Sequence, residues 1–257
     1  MRLSKRFMMV ALASIVGMGM GVYGTADASE KGGHHHWAYE GETGPSHWSH
    51  VSPEFAVCNE GKSQSPIDIT APQKENIADI NFSYKPSALN LINNGHTVQA
   101  NYDDGSTINV NGVDYKLLQF HFHTPSEHTV GGKSFGMELH LVHKNDKGEL
   151  AVVGVLLEDG KDNQAYSAVL KDLPKKANEK KSGKAAFNAD DLLPKTRTHY
   201  TYSGSLTTPP CTENVTWLVL KTPVQISKKQ IKALEGIMKH NNRPVQPMHD
   251  RPLKEDM

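Results

Sequence analysis

Two short runs in the middle of the chain carry histidines at the spacing that metal sites need. In the first run, His121 and His123 alternate with two phenylalanines and follow Gln119. Successive side chains of a β-strand point to opposite faces, so a strand here places all three polar side chains on one face. Two imidazoles on one strand face, two residues apart, can bind a single metal ion.

The second run begins at Glu138 and adds a third imidazole. Glu138, His140 and Val142 share one strand face by the same alternation. If the two strands are neighbours, His140 converges with His121 and His123 on one point. Three histidines that leave a fourth coordination position open are typical of catalytic zinc, whereas structural zinc has four protein ligands. The pattern therefore predicts one catalytic Zn²⁺ per chain.

The zinc hypothesis extends to the residues that would orient these ligands. A histidine bound to a metal needs an acceptor on its other ring nitrogen, which fixes the tautomer and the ring position. Gln119 stands two residues before His121, and Glu138 stands two residues before His140. Each therefore lies on the same face as its ligand and is predicted to hold it.

Composition excludes several other classes of protein. The 257 residues include 28 basic and 28 acidic side chains, 14 histidines and 2 cysteines. A formal net charge of zero argues against a general nucleic-acid binder, which needs a basic surface. Two cysteines exclude a zinc site with four cysteine ligands and a disulfide-dense small domain. The hydrophobic fraction of 37% is enough to supply a core.

The first 28 residues have the layout of a secretory signal peptide. Basic residues precede an apolar run, Phe7–Tyr23, and the small-x-small pattern ending at Ala28 follows it. We expect cleavage after Ala28 and export to the periplasm or the medium, with no membrane span left in the mature chain. The alternative is a transmembrane anchor, for which a run of 17 residues is short. Residues 29–257 carry a net charge of −2.

Export bears on the two cysteines. Cys58 and Cys211 stand 153 positions apart. In an oxidising compartment we predict that they form a disulfide bond. Two unpaired thiols are the alternative.

The elements that must position these residues are mostly strands. Apolar or alternating runs separated by Asn-Gly and Asp-Gly turn signals predict strands, and the apolar run Ala151–Leu157 is expected to be buried on both faces. One helix is predicted over Ser227–His240, with Ser227 as its N-cap, and a weaker one over Asn163–Leu173. The lysine-rich segment Lys175–Lys184 is predicted to be a solvated loop. Residues 29–257 are expected to form a single β-rich domain, and its predicted strands are Leu89–Ile92, Thr97–Tyr102, Thr107–Val110, Tyr115–His123, Phe135–His143, Leu150–Leu157 and Val215–Leu220.

Nine sequence blocks, two of which contain the histidines above, follow one another along residues 36–250. The blocks are His36–Tyr39, Gly44-Pro45, Gln64–Ile69, Asn93–His96, Gln119–His123, Ser126–Thr129, Glu138–His143, Ser205–Cys211 and Asn242–Pro247. Taken together and in this order, they resemble the α-class carbonic anhydrases, in particular the exported bacterial type. Each block alone is modest support, but the complete ordered set is highly specific.

The resemblance implies a role for each matching residue. His121, His123 and His140 match the zinc ligands, and the backbone carbonyl of Asn241 matches the group that orients His123. Thr207 matches the threonine that accepts a hydrogen bond from zinc-bound hydroxide. The remaining matches are Glu127, which holds the Thr207 hydroxyl; His128, a structural histidine beside Glu127; His96, the proton shuttle; Tyr39, Asn94 and Gln99, its water-network neighbours; and Thr208, Val142, Val152, Leu206 and Trp217, which line the substrate site.

The implied reaction is the reversible hydration of CO2 to bicarbonate and a proton. Zinc-bound hydroxide attacks CO2, and His96 passes the proton to buffer, because histidine titrates near neutral pH. The implied fold is mainly β with short helices (α+β), a single domain around a central, mostly antiparallel sheet of about ten strands. The resemblance also implies inhibition by sulfonamide-type anions and a homodimer.

Two other functions stay open at the level of sequence. A member of the same fold without zinc would be a binding module, although all three ligand positions are histidines here. The other alternative is a zinc hydrolase of a different class or a zinc store that uses His34-His35-His36. The sequence has no HExxH motif, which argues against a zinc protease. The His34–His36 run is otherwise an accessory metal site or a polar start of the mature chain.

Overall fold

Runs rich in β-branched and aromatic residues form strands, and strands dominate this protein. The computed structural model describes residues 36–257, so the predicted signal peptide, His34 and His35 lie outside the described residues. Within residues 36–257 the strands are β1 (Asp68–Ile69), β2 (Gln73–Glu75), β3 (Asn81–Ser83), β4 (Ser87–Asn93), β5 (Val98–Asn101), β6 (Thr107–Val110), β7 (Val113–His123), β8 (Thr129–Val130), β9 (Met137–Lys144), β10 (Leu150–Asp159), β11 (Lys180–Phe187), β12 (His199–Ser205), β13 (Glu213–Ile226) and β14 (Lys254–Asp256).

Twelve of the strands in the described chain join one mixed sheet. Ten of them follow the order β11-β4-β5-β7-β9-β10-β13-β12-β14-β2, and β6 pairs with both β7 and β3 beside this path. The pairs β10–β13 and β14–β2 are parallel, and the other neighbours in this sheet are antiparallel. The prediction of a mainly β domain around a mostly antiparallel sheet is confirmed. β1 and β8 form a separate parallel pair.

The register of β7 and β9 brings the two histidine runs together. These strands are antiparallel neighbours, and His121 lies directly opposite His140. A register shift between Leu117 and Gln119 leaves Leu118 as an extra residue, a β-bulge in β7. Bulges re-aim the side chains that follow them. Gln119, the first residue after this bulge, therefore begins the row that contains His121.

The side chains of β10 point alternately to the two faces of the sheet, one covered by the main core and the other carrying the histidines. Residues Ala151–Leu157 are all buried, as their continuous apolar run predicts. Val153 packs in the larger core with Phe122 of β7. Val152, which points the other way, packs in a smaller cluster with Trp217 of β13. The histidine face is thus backed by a closely packed apolar layer.

Helices in the described chain are short. They are α1 (Trp48–Val51), α2 (Val57–Glu60), α3 (Gln164–Leu170) and α4 (Lys228–Met238). Ser227 caps α4, because its Oγ accepts a hydrogen bond from the Gln230 N–H at 3.4 Å and the Gln230 side chain accepts from the Ser227 N–H at 3.0 Å. The predicted helices and the Ser227 cap are confirmed, with each helix ending before its predicted limit. In residues 36–257, no helix combines the length and the apolar character needed to cross a membrane.

One predicted loop is partly a strand. The sequence predicts a solvated loop over Lys175–Lys184, but β11 begins at Lys180 and pairs with β4, where Lys181 lies opposite Leu91. This prediction is wrong from residue 180 onward. β11 is an edge strand, and lysines on an edge remain solvated and discourage pairing with a second chain. The lysines conceal the strand because they replace the apolar alternation that identifies one.

A disulfide bond ties the N-terminal part of the described chain to the segment after β12. Cys58 of α2 is bonded to Cys211, which confirms the predicted pairing. Both cysteines are buried against Trp48, with Trp37 and Tyr39 packed at the edge of the same cluster. The bond holds this aromatic cluster next to the Ser205–Cys211 segment, which contains Thr207.

Candidate metal centre

Three imidazoles converge where β7 and β9 run side by side. The ring centroids of His121 and His123 are 5.0 Å apart, those of His121 and His140 are 5.4 Å apart, and those of His123 and His140 are 4.6 Å apart. One ring nitrogen from each lies within 4.8 Å of the other two. The structure therefore brings together the three predicted ligands, in an arrangement that one ion can bridge.

Hydrogen bonds decide which nitrogen of each β7 imidazole faces the shared point. His121 donates from Nδ1 to Gln119 Oε1 at 2.8 Å, and His123 donates from Nδ1 to the Asn241 carbonyl at 2.7 Å. In both rings Nε2 is left for a metal. His123 Nε2 is buried and has no hydrogen-bond partner within residues 36–257. A buried polar atom of this kind is costly unless a ligand satisfies it.

Burial also keeps these rings in the state that binds metal. It lowers the pKa of His123 to about 4 and lowers the pKa of His121 well below its ordinary value. A neutral imidazole has a free lone pair, whereas a protonated one has none. The donor set of three neutral imidazoles therefore fits a zinc ion near neutral pH.

Glu138 holds the third imidazole and the chain around it. Its Oε1 accepts hydrogen bonds from His140 Nε2 at 3.0 Å and from His128 Nδ1 at 2.7 Å. Its Oε2 accepts from the backbone N–H groups of Glu127 at 2.9 Å and His128 at 2.8 Å. Burial alone would raise the pKa of Glu138, but the two imidazoles outweigh it and hold that pKa well below its usual range. The fixed carboxylate leaves His140 Nδ1 facing the other two ligands.

A second group of possible ligands adjoins the first. His128, Glu138 and His140 also come close enough to share an ion. However, both Glu138 oxygens already accept two hydrogen bonds, and His128 Nε2 lies 2.7 Å from Tyr202 Oη. Both Glu138 oxygens and both His128 ring nitrogens therefore already have hydrogen-bond partners. The group that contains the unpartnered His123 nitrogen is the better metal site.

Glu127 lies buried beside the ligands. Its Oε1 accepts a hydrogen bond from the Arg243 N–H at 2.8 Å, while its Oε2 lies 3.9 Å from His140 Nδ1 and has no hydrogen-bond partner in the described chain. Burial raises the pKa of Glu127 to about 7, and His140, the Arg243 N–H and the Thr207 hydroxyl offset part of the rise. Oε2 is therefore an available acceptor next to Thr207.

A cavity of about 330 Å³ opens over His121 and His140. Part of its wall is the indole of Trp217, whose N–H donates to the Ser205 carbonyl at 2.9 Å, so that the ring presents hydrocarbon to the cavity. A pocket with an apolar wall and a few hydroxyl groups suits a small, weakly polar ligand. The predicted substrate residues all line it: Val142, Val152, Leu206, Thr208 and Trp217.

His96 lies at the surface, half-buried, on a turn before β5. Asn94 Oδ1 accepts hydrogen bonds from the His96 N–H at 3.0 Å and the Thr97 N–H at 2.9 Å, which fixes the turn. The imidazole stacks on Trp37, with centroids 3.7 Å apart and planes inclined by 5°. Burial, with His36 as a second cause, lowers the pKa of His96. The ring lines a pocket with Trp37 and not the cavity over His121 and His140, and one close aromatic contact holds it in this outward pose.

The other two residues assigned to the water network differ from each other. The Tyr39 ring is 6.4 Å from the His96 ring, and burial raises the pKa of Tyr39 well above its ordinary value, so it stays protonated. Gln99 lies opposite His121 in the register of β5 and β7. Its amide, however, donates to Asn101 Oδ1 at 2.7 Å. The carbonyl oxygen and the second N–H of Gln99 remain for water molecules.

A buried polar network behind the centre escapes sequence reasoning. Tyr202 Oη lies 2.7 Å from His128 Nε2 and 2.8 Å from Ser65 Oγ. Arg243, 1% exposed, donates to Gln64 Oε1 and to the Ser65 carbonyl, both at 2.8 Å. Three of these residues, Gln64, Ser65 and Arg243, belong to the sequence blocks Gln64–Ile69 and Asn242–Pro247. The sequence does not indicate that the two blocks meet.

Comparison with known sequences bears on this site. A family model described as eukaryotic-type carbonic anhydrase matches residues 43–257. The carbonic anhydrase of Neisseria gonorrhoeae is 45% identical over 226 residues, which covers 87% of this chain and 89% of that protein. The match includes the whole region that forms the three-histidine centre.

Solved structures have the same fold. A hyperthermostable carbonic anhydrase from a hydrothermal vent chimney has a TM-score of 0.84 at 43% identity and covers 86% of this chain and 100% of that one. The α-carbonic anhydrase of Thermovibrio ammonificans, solved with the inhibitor sulfanilamide, has a TM-score of 0.84 at 42% identity and covers 88% and 100%. Neither likeness is confined to a fragment.

Proposed function

Because the chain belongs to the eukaryotic-type, α-class family of carbonic anhydrases, which are zinc lyases that hydrate CO2, we propose that His121, His123 and His140 hold one zinc ion at the reacting centre. The observation that carries this proposal is the convergence of three neutral imidazoles. The buried, unpartnered Nε2 of His123 supports it further. Zinc at such a site lowers the pKa of water, which supplies a nucleophile near neutral pH.

Thr207 and Glu127 orient the nucleophile. A hydroxyl group has one proton to donate. When the Thr207 hydroxyl donates its hydrogen bond to Glu127 Oε2, the threonine oxygen can only accept from its other neighbours. It then holds the nucleophile by its hydrogen and turns the lone pair towards CO2. The buried and otherwise unpartnered Oε2 supports this direction of donation.

The apolar wall holds CO2. This substrate is neutral and linear and has no strong hydrogen-bonding group, so hydrocarbon surface suits it better than polar side chains. Val142, Val152 and Trp217 provide that surface beside the ligands, and Leu206 lies next to Thr207. Thr208 supplies a hydroxyl on the same side of the cavity. Bicarbonate is charged, and the same wall favours its release.

His96 carries the proton to buffer. Each hydration releases one proton, and direct transfer to bulk water is slow without a group that titrates near neutral pH. His96 lies on a turn at the surface, and Tyr39, Asn94 and Gln99 provide polar groups for a water chain towards the centre. Rotation of His96 away from Trp37 brings the ring towards that chain. The lowered pKa of His96 eases delivery of the proton to the solvent.

Stopped-flow measurement of CO2 hydration by the zinc-loaded protein tests the proposed function. We expect activity that sulfanilamide abolishes, with one zinc ion per chain. A zinc-free binding module would show neither zinc nor inhibitable hydration, and a zinc store would bind zinc without hydrating CO2. Either result would overturn the proposal. His121→Ala, which removes one proposed ligand, is the control variant and should be inactive.

The chain is also proposed to be exported, with residues 1–28 removed. The Cys58–Cys211 disulfide supports this, because such bonds persist in oxidising compartments. Sequencing the N-terminus of the exported protein should give Ser29 as the first residue, whereas a start at Met1 would contradict cleavage. The homodimer stays a prediction, which sedimentation velocity of the mature protein tests.

A further inference from the structure

The metal-facing row of β9 continues beyond the apolar wall to a lysine. His140, Val142 and Lys144 are alternate residues of one strand, so all three point to the same face. At a rise of about 3.3 Å per residue, Lys144 lies about 13 Å along the strand from His140. Its exposed side chain lines the mouth of the same cavity as Val142 and Leu206.

Within the described residues, Lys144 has no acidic partner, whereas its cross-strand neighbour Lys116 does. Lys116 lies opposite Lys144 in the register of β7 and β9, and its Nζ is 2.7 Å from Asp146 Oδ1. No carboxylate of the described chain lies within 4.0 Å of Lys144 Nζ. The nearby Glu149 carboxylate accepts a hydrogen bond from Asn145 Nδ2 at 2.6 Å. Lys144 therefore contributes an uncompensated positive charge to the cavity mouth.

Resting on the proposed function, we infer that Lys144 forms an anion subsite at the outer end of the zinc cavity. The subsite takes a negatively charged group on a ligand whose other end occupies the metal centre, and carboxylates are the chemical class it fits. Apolar walls of low dielectric focus the field of a nearby charge into a cleft. Val142, Leu150 and Leu206 provide such walls in the cavity that Lys144 shares with His121 and His140.

Two sulfonamides that differ only in charge test the subsite. The probes are para-carboxybenzenesulfonamide and its neutral para-carboxamide analogue, and the protein is the zinc-loaded mature chain. K144Q should weaken the carboxylate about three- to fivefold at low salt, as expected for one exposed charge pair, and leave the carboxamide unchanged. K144E should weaken the carboxylate further. At about 1 M NaCl, where the Debye length is about 3 Å, the difference should vanish.

K147Q is the matched control, because Lys147 lies exposed in the turn after β9 and its loss changes the net charge equally. We expect K147Q to bind both probes as the unchanged protein does. Equal weakening of both probes by K144Q, no weakening of either, or the same effect from K147Q would overturn the subsite. If neither sulfonamide binds the unchanged protein, the proposed function itself fails, which is a separate outcome.

Discussion

The metal centre and the turn that carries His96 are built in opposite ways. At the centre, each ligand's second nitrogen is held by an acceptor at 2.7–3.0 Å, and Glu138, which holds His140, is fully buried. His96 has a half-buried ring with one stacking contact, on Trp37. The contrast follows from the proposed chemistry, because metal ligands must stay fixed while a proton carrier must move.

The energies involved differ accordingly. Breaking one hydrogen bond to a charged group costs about 1.5–3 kcal/mol, and Glu138 accepts four bonds that would all be disturbed. Leaving an aromatic stack costs about 0.5–1.5 kcal/mol. Under the proposed function, His96 therefore leaves its stack at a much lower cost than a ligand leaves the centre.

The largest expected effect comes from Thr207→Val, which keeps the shape of the side chain and removes its hydroxyl. Loss of one group that orients the reacting atoms should lower kcat/KM by about 10²–10³-fold. Zinc affinity should not change, because Thr207 is not a ligand. Stopped-flow hydration and a zinc assay measure the two quantities. Thr201→Val, in β12 on the face towards the larger core, is the control and should retain activity.

Glu138→Gln should act on the metal rather than on the chemistry. The amide can still accept from His140 but loses the charge that both imidazoles face, and zinc affinity should fall about 10- to 100-fold. Competition with a chelator measures it. Asp146→Asn removes an exposed carboxylate, 87% accessible, and should leave zinc affinity unchanged. Equal affinities in all three proteins would show that Glu138 does not support the ligand.

His96→Ala should separate the two regions in a single experiment. We expect kcat in weak buffer to fall at least about tenfold, because a positioned proton carrier is lost. kcat/KM for CO2 and zinc affinity should stay the same, since the centre is intact. Added imidazole should restore kcat. An unchanged kcat in weak buffer would refute the shuttle.

Trp37→Ala should have the smallest effect on kcat, and it tests whether the His96 ring rotates. Removal of the stack destabilises the outward pose by about 0.5–1.5 kcal/mol and shifts the ring inward, with a change in kcat of about threefold or less. Burial lowers the pKa of His96 below its ordinary value of 6.5. The kcat pH profile should therefore have its midpoint below 6.5, and Trp37→Ala should raise it. A midpoint that does not move would show that Trp37 does not bury His96.

Local periodicity predicted the histidine face of the sheet well. The alternation in β7 and β9 gave the face of each ligand, and the pairing of these two strands brings His121, His123 and His140 together. His143, three residues after His140, lies on the opposite face and is buried there, with Nε2 2.7 Å from Tyr84 Oη. The Ser227 cap of α4 was equally predictable from the sequence, because capping depends on residues within one helical turn.

Contacts between distant segments could not be predicted in the same way. Glu138 binds His128 and the backbone of Glu127, and Arg243 meets Gln64, 179 positions away. No local pattern encodes such pairings, because they depend on how the sheet and its loops close. Strand β11 was not predicted for a different reason. It lies at the sheet edge, where lysines are favoured and the apolar alternation of a buried strand face is lacking.

Anomalous diffraction at the zinc edge, from crystals of the zinc-loaded mature protein, tests the central claim most directly. We expect one ion bonded to Nε2 of His121, Nε2 of His123 and Nδ1 of His140, at about 2.0–2.1 Å from each nitrogen. An ion held instead by His128, Glu138 and His140, or a centre without zinc in an active protein, would contradict it.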